Sequence, residues 1–405
     1  MTIRLRTAMG AAATGARLER MQASPQWSPT GGRGRGGFCP PLPREEPAFW
    51  PTSKAFLLGR SAHRTPAATP PTVPRRGHDF AAPPPDGLRV TWLGHATSLV
   101  EIEGRRVLFD PVLSERASPV SWAGPKRFFA PPLVVDEIPE LDAVVLSHDH
   151  YDHLDHATIV ALAARPDVPF IAPLGVGAHL EHWGVPAERI VELDWWEAHE
   201  RAGLQVTATP GRHFSGRALT MSDRDQTLWA GWAVRGAKRA IFFSGDTAMF
   251  PGFVDIGTKL GPFDLAMIEC GAYNANWRDM HIGPEQAVVA SQLVHAGCLL
   301  PVHWGTFDLA FHGWTEPIER AVVAAAAAGV SLATPRPGQS VVPSAHVPTE
   351  RWWPDVPWVP AHREPVVSSG LPSELVARIE ALNRGVHDDG LAPRAAVPPR
   401  DAATT

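Results

Sequence analysis

Three cysteines (Cys39, Cys270 and Cys298) among 405 residues are too few and too scattered for a disulfide framework or a thiolate zinc site. No apolar run reaches the roughly 18 residues that a membrane-spanning helix needs. Neither sign of charge dominates. The 37 Lys and Arg face 42 Asp and Glu, a net charge of −5, and no Lys/Arg-rich stripe stands out. That balance excludes a nucleic-acid surface as the main business of the chain. At the N-terminus, Arg4 and Arg6 precede only a weakly apolar run over residues 8–13 before Arg17. A secretory signal is therefore not expected, and the cytoplasm is the expected location. What remains is an ordinary globular composition, 44% apolar and 20% charged, with enough apolar material for a sizeable core. Its two excesses are 42 prolines, mostly towards the ends, and 18 histidines, crowded in the middle.

Three regions follow from that distribution. Residues 1–85 read as a Pro/Gly-rich arm, partly ordered on a folded body. Its 31–37 stretch is read as flexible, its first 25 residues are open between order and disorder, and its aromatic segment 47–60 is suited to pin it down. Residues 86–345 are the catalytic body. There, short apolar runs bounded by Gly, Pro and Asp predict strands, among them 89–93, 97–102, 106–109, 143–146, 205–209, 228–232, 240–244, 265–268 and 299–302. Helical stretches at 156–164, 176–183, 284–295 and 316–328 lie between several of them, which suggests an α/β layered architecture. Residues 346–405 form a Pro-rich tail with Trp352, Trp353 and Trp358 as packing anchors. The tail carries one helix at 373–384, and its last ~20 residues are expected to be disordered.

The chemistry concentrates in Ser147-His148-Asp149-His150-Tyr151-Asp152-His153-Leu154-Asp155, directly after the strand at 143–146. A loop leaving a strand end presents its side chains at the sheet edge, where α/β sites lie. In an extended segment His148, His150 and Asp152 alternate onto one side. A turn after Asp152 lets His153 face a second point, an arrangement suited to two metal ions. One segment cannot complete two metal shells. His213, Asp246 and His303, each following a predicted strand, are candidates for the rest.

The series His-x-His-x-Asp-His, then His, Asp and His, resembles the metallo-β-lactamase fold hydrolases. The resemblance is closer to the branch of N-acyl-phosphatidylethanolamine phospholipase D and its bacterial relatives. It is carried by Trp92-Leu93-Gly94-His95-Ala96-Thr97, Asp110-Pro111, Arg116-Ala117-Ser118-Pro119, Gly124-Pro125-Lys126-Arg127-Phe128, Glu192-Leu193-Asp194-Trp195-Trp196-Glu197, Gly271-Ala272-Tyr273 and His303-Trp304-Gly305-Thr306-Phe307, over residues 88–340. It implies an αββα sandwich of two mixed sheets flanked by helices. It also implies a ligand set: His148, His150 and His213 on one zinc, Asp152, His153 and His303 on the other, and Asp246 bridging. Imidazole and carboxylate without thiolate suit zinc, and iron or manganese fit the same ligand types.

The implied activity is hydrolysis of a phosphodiester in an N-acyl phosphatidylethanolamine-type phospholipid. Two cations about 3.5–4 Å apart bring the pKa of a shared water near 7, so the attacking hydroxide is available at neutral pH. Asp152 and Asp246 enter the catalytic set as metal-holding carboxylates. His281 enters it as a substrate contact or general acid, with a helix-capping or surface histidine as the plainer reading. Tyr273 is placed by resemblance beside the substrate. His95 is placed behind the ligands, orienting them, or is a buried strand-end histidine. Asp149 is not a ligand in this pattern. Arg116, Lys126 and Arg127 suit phosphate or lipid head groups and equally a solvated face. Trp195, Trp196, Trp229 and Trp232 read as core rather than as a membrane belt. A lactonase or another small-molecule metal hydrolase is the alternative. A non-catalytic binding protein would lack ligands that are all present here. Peripheral membrane contact and a homodimer are compatible with the chain.

Overall fold

The computed structural model describes residues 3–46 and 61–384. The expected aromatic anchors of the arm at 47–60 and the expected disorder of the last twenty residues lie outside the described residues. Among the described residues, fifteen strands form two mixed sheets and a small ribbon. The ribbon pairs β1 (Trp27–Ser28) with β2 (Gly37–Phe38). The first sheet contains β3 (Leu88–Gly94), β4 (Thr97–Ile102), β5 (Arg105–Phe109), β6 (Ala143–Val145), β7 (Phe170–Pro173), β8 (Ile190–Leu193) and, at its far edge beside β3, β15 (Ser340–Val341). The second contains β9 (Ala198–Arg201), β10 (Leu204–Thr209), β11 (Gly231–Arg235), β12 (Ala240–Phe243), β13 (Leu265–Glu269) and β14 (Leu299–Val302), in that order across the sheet. The pairs β5–β6–β7–β8 and β12–β13–β14 are parallel and the others antiparallel.

Alternation along the strands decides what each face of the first sheet meets. Val107, Phe109, Ala143 and Val145 point inward to the large core shared with Val206, Trp232, Val234, Ile241 and Phe243 of the second sheet. Leu108, Val144, Leu146 and Phe170 point outward to a separate core under Ile159, Leu162 and Leu180 of the helices His156–Ala163 and Gly177–His182. The helices Pro284–Leu293 and Glu316–Ala328 cover the other side, with Val288, Val289, Ile318 and Ala325 buried. The result is the four-layer αββα sandwich. Among the described residues no helix is long and apolar enough to cross a membrane.

Several local expectations are corrected. The strand expected at 228–232 starts only at Gly231. Leu228 N–H bonds to Leu174 O (2.8 Å) and Ala230 N–H to Ser147 O (2.9 Å), so this segment first ties the two sheets together. The glycine-rich stretch is ordered: Gly31–Gly34 makes one helical turn, and the buried Phe38 meets Trp27 edge-on at 5.1 Å while its N–H bonds to Asp225 O. The beginning of the chain is also held. It forms helices Ile3–Ala8 and Gly15–Gln22, with Trp183 Nε1–H on Thr7 O (2.7 Å) and Arg17 on Glu192 (2.6 Å). Trp196 leaves the core. Its φ of 72° turns the ring outward, and the Lys259 ammonium sits 4.0 Å from its centroid. The tail anchors as its tryptophans suggest: Trp352 stacks on Trp304 at 5.4 Å and Trp353 Nε1–H bonds to Glu319 (2.9 Å).

Candidate metal centre

Strands β3, β5, β6, β10, β12, β13 and β14 all end at the same rim of the sandwich, and each releases a polar residue there. In order these are His95, Asp110, the 147–153 loop, His213, Asp246, Glu269 and His303. Three of them, His95 (φ 53°), Asp110 (φ 37°) and His303 (φ 67°), hold left-handed backbone that non-glycine residues rarely adopt, as functional sites often do. The His95 conformation is fixed from both sides: Thr306 Oγ1 accepts its N–H (2.7 Å), and its carbonyl accepts the N–H of His303 (3.0 Å).

The loop turns earlier than alternation suggests. The N–H groups of His153 and Leu154 both bond to His150 O, so the turn begins at His150 rather than after Asp152. Asp152 therefore leaves the side shared by His148 and His150 and joins His153. Two donor sets result. His148, His150, His213 and Asp246 gather on one side, and His95, Asp152, His153 and His303 on the other. Asp246 lies between them: its Oδ2 is 3.9 Å from His148 Nε2, 3.7 Å from His213 Nε2 and 3.2 Å from His303 Nε2, while its Oδ1 is 3.2 Å from His153 Nε2.

The donors fit cations. His213 gives its Nδ1 proton to Met280 O (2.7 Å), so its Nε2 lone pair faces His150 Nδ1 at 3.3 Å. His148 Nε2 meets the same His150 nitrogen at 2.8 Å. Three imidazole nitrogens crowding one point need a positive centre between them. On the other side, His153 Nε2, His303 Nε2 and Asp246 Oδ1 are buried without a well-formed hydrogen bond, an arrangement that is costly unless something binds there. Asp110 holds His153 Nδ1 (2.7 Å) and Ser147 N (2.7 Å), which aims His153 Nε2 inward.

The two sides differ electrically. Burial, reinforced by neighbouring imidazoles, holds His148 and His213 well below the usual histidine range, and burial lowers His150 as well. Burial also opposes charge on His303 and His153, but the carboxylates of Asp246 and Asp152 outweigh it. They push His303 up to about 10 and His153 well above its ordinary value. Asp152 and Asp246 lie well below theirs despite burial, chiefly because of His153.

Residues 105–304 match the beta-lactamase superfamily domain. The chain belongs to the metallo-β-lactamase superfamily. It is a metal-dependent hydrolase of that superfamily. An uncharacterized protein of Mycobacterium tuberculosis is 47% identical over 300 residues, 73% of this chain and 79% of its own length. The N-acyl-phosphatidylethanolamine-hydrolyzing phospholipase D 1 of Caenorhabditis elegans is 42% identical over 245 residues, 57% of this chain and 66% of that protein. Among solved structures, the isothiocyanate hydrolase from Delia radicum gut bacteria aligns with a TM-score of 0.50 at 21% identity, over 63% of this chain and 98% of that one, a likeness of fold.

The remaining residues of this hydrolase fall around the two donor sets. His95 Nε2 lies 3.0 Å from Asp152 Oδ2, and burial with the neighbouring His303 lowers it to about 3, so it is a neutral partner. Asp149 points away from the donors. It accepts from Gly216 N (2.8 Å) and Thr227 Oγ1 (2.9 Å) and lies 3.4 Å from His179, which pins the back of the loop. Arg212, beside His213, reaches Asp279 Oδ1 (3.1 Å), Leu42 O (3.3 Å), Pro43 O and Ser369 O (2.9 Å), while Asp279 accepts from Glu45 N (2.9 Å) and Ser369 N (2.7 Å). Arm and tail thus meet within two residues of His213 and His281.

Two residues depart from their expected places. The Tyr273 hydroxyl donates to Glu316 (2.7 Å) and its ring stacks on His312, lining a cavity of about 650 Å³ with Asn274 and Asn276 rather than facing the donor sets. Arg127 is buried, bonded to Val112 O (2.7 Å) and Leu93 O (3.3 Å) between Phe129 and Phe307. Lys126 pairs with Glu115 (2.7 Å) and Arg116 with Gly124 O (2.6 Å). Arg127 is thus a structural cation. Glu269 was not anticipated. It is fully buried at the end of β13, joins Asp246, His281 and His303 in a third donor group, and lies 2.8 Å from His281 Nδ1. The readable signal was its place at the end of a strand flanked by those that deliver Asp246 and His303.

Proposed function

We propose that this hydrolase is a dinuclear metal phosphodiesterase acting on an N-acyl-phosphatidylethanolamine-type phospholipid, releasing phosphatidic acid and the amide alcohol. The observation that carries the reading is the 42% identity to the nematode phospholipase across 245 residues. Two donor sets on either side of one carboxylate support it, because a phosphodiester offers two non-bridging oxygens to such a pair. In this reading His148, His150 and His213 hold one cation, Asp152, His153 and His303 the other, with Asp246 between, and zinc suits the donors. When bound, the pair acidifies a shared water and offsets charge on the diester. His95 steadies the Asp152 carboxylate. His281, 15% exposed at the mouth of the site, meets the leaving oxygen.

The test is hydrolysis of an N-acyl phosphatidylethanolamine in mixed micelles beside bis(4-nitrophenyl) phosphate, using metal-quantified protein and the His303→Ala variant. Lipid turnover that requires His303 and tracks two metals per chain supports the reading. Turnover of the soluble diester alone removes the lipid, and turnover of neither removes the phosphodiesterase.

A further inference from the structure

We propose that Glu269 is a positioning residue: it accepts the Nδ1 proton of His281 and so presents the ring's Nε2 to the leaving oxygen of the substrate. The proposal rests on the phosphodiesterase reading for its chemistry and on the fold for its geometry. Glu269 closes β13, the middle strand of the parallel trio β12–β13–β14, and is completely buried. No Lys or Arg pairs with it among the described residues, so its nearest cation-forming partner is His281 itself. Its two oxygens are divided. Oε1 accepts the N–H of Thr247, next to Asp246, and Oε2 lies 2.8 Å from His281 Nδ1.

That second contact defines the ring's orientation. The same Nδ1 is 3.8 Å from Asp246 Oδ2, so it forms the inward edge of the imidazole. The ring is wedged between His213 (centroids 5.0 Å apart) and His303 (5.3 Å). Nε2 makes no hydrogen bond among the described residues. In the step this serves, the oxygen of water bonds to phosphorus and the bond from phosphorus to the alcohol oxygen breaks, its electron pair going to that oxygen. The Nε2 lone pair takes up the proton shed by the water and passes it on to that oxygen, so the ring ends as it began, with its one proton on Nδ1.

The division of oxygens predicts what Glu269→Gln does. A glutamine has one acceptor oxygen and two places that need one. The Thr247 N–H, fixed in the backbone, claims it, and the amide NH2 is left facing His281 Nδ1. The ring must then carry its proton on Nε2 instead, the tautomer error that disables a carboxylate–histidine pair. Four readouts follow. On zinc-loaded protein labelled with ¹⁵N-histidine, Nδ1 of His281 is protonated in the wild type and unprotonated in Glu269→Gln. Metal content is unchanged. Turnover of an alkyl phosphodiester falls roughly 10²–10³-fold in kcat with KM little changed, while the nitrophenyl diester, whose leaving group needs no proton, falls less than about threefold. The double variant with His281→Ala is no slower than His281→Ala alone.

An unprotonated Nδ1 in the wild type, or no change in Glu269→Gln, overturns the proposal. Loss of a metal equivalent overturns it in favour of a ligand role. Equal losses on both diesters, or additive losses in the double variant, overturn it in favour of a purely structural role. If the wild type turns over neither diester, the phosphodiesterase reading fails, and the resonance and metal measurements still decide what Glu269 does.

Discussion

A cation entering this site meets two donor sets that differ in the protons they already hold. His148, His150 and His213 are held below the usual histidine range, so their lone pairs are open at neutral pH. His303, at about 10, is protonated there, and the carboxylates of Asp246 and Asp152 push His153 well above its ordinary value too. Binding on that side must evict a proton. Holding a ligand with a pKa of about 10 deprotonated at pH 7 costs roughly 4 kcal/mol, at 1.36 kcal/mol per unit. The sign is fixed: affinity on the His153–His303 side rises with pH up to about 10, by about tenfold per unit for each proton displaced, while the other side is flat above the ordinary histidine range. Calorimetric titration of zinc into apo-protein, between about pH 6 and 8 and in two buffers of different ionisation heat, separates the two. The first equivalent should release almost no protons, and the second should release one to two and weaken steeply as pH falls. Equal proton release by both equivalents would refute the reasoning.

Other perturbations test the scaffold. Asp110→Asn leaves His153 Nδ1 without its carboxylate, and chelator competition should show metal affinity lowered by about 10–100-fold on one of two equivalents only. Arg212→Met abandons the buried Asp279, and urea denaturation should register a loss of about 3–5 kcal/mol, part of it restored by adding Asp279→Asn. Leu108→Ala opens a cavity in the outer core, and should lower stability by about 2–5 kcal/mol while metal content stays that of the wild type.

The 147–155 loop was legible because its ligands are adjacent in sequence and follow an unmistakable strand. The sandwich was legible from alternating apolar runs and the family pattern together. Short strands at 190–193 and 198–201 were not, since β9 is mostly exposed and carries the charged sequence Ala198-His-Glu-Arg201. Glu269 looked like the polar end of an apolar run. Its meaning depends on β12, β13 and β14 lying parallel, a fact about pairing that no local window contains. The order of the 31–37 stretch was missed for a related reason. Glycine and proline content speaks against regular structure but not against docking, and hydrogen bonds such as Arg217 to Ala8 O, 209 positions apart, order the backbone without a long helix or strand.

The Arg212 cluster bears on how the chain comes off the ribosome. Its partners run from Leu42, 170 positions upstream, to Ser369, 157 positions downstream. All the donors of both sets have emerged once residue 303 is out, yet Asp279 still lacks the Ser369 contacts that complete its shell. Segment 279–281, and with it His281, can settle only after the tail has been synthesised and has folded back. A nascent chain should therefore be able to assemble the Asp152–His153–His303 side before His213, whose Nδ1–H bonds to Met280 O, and His281 are fixed.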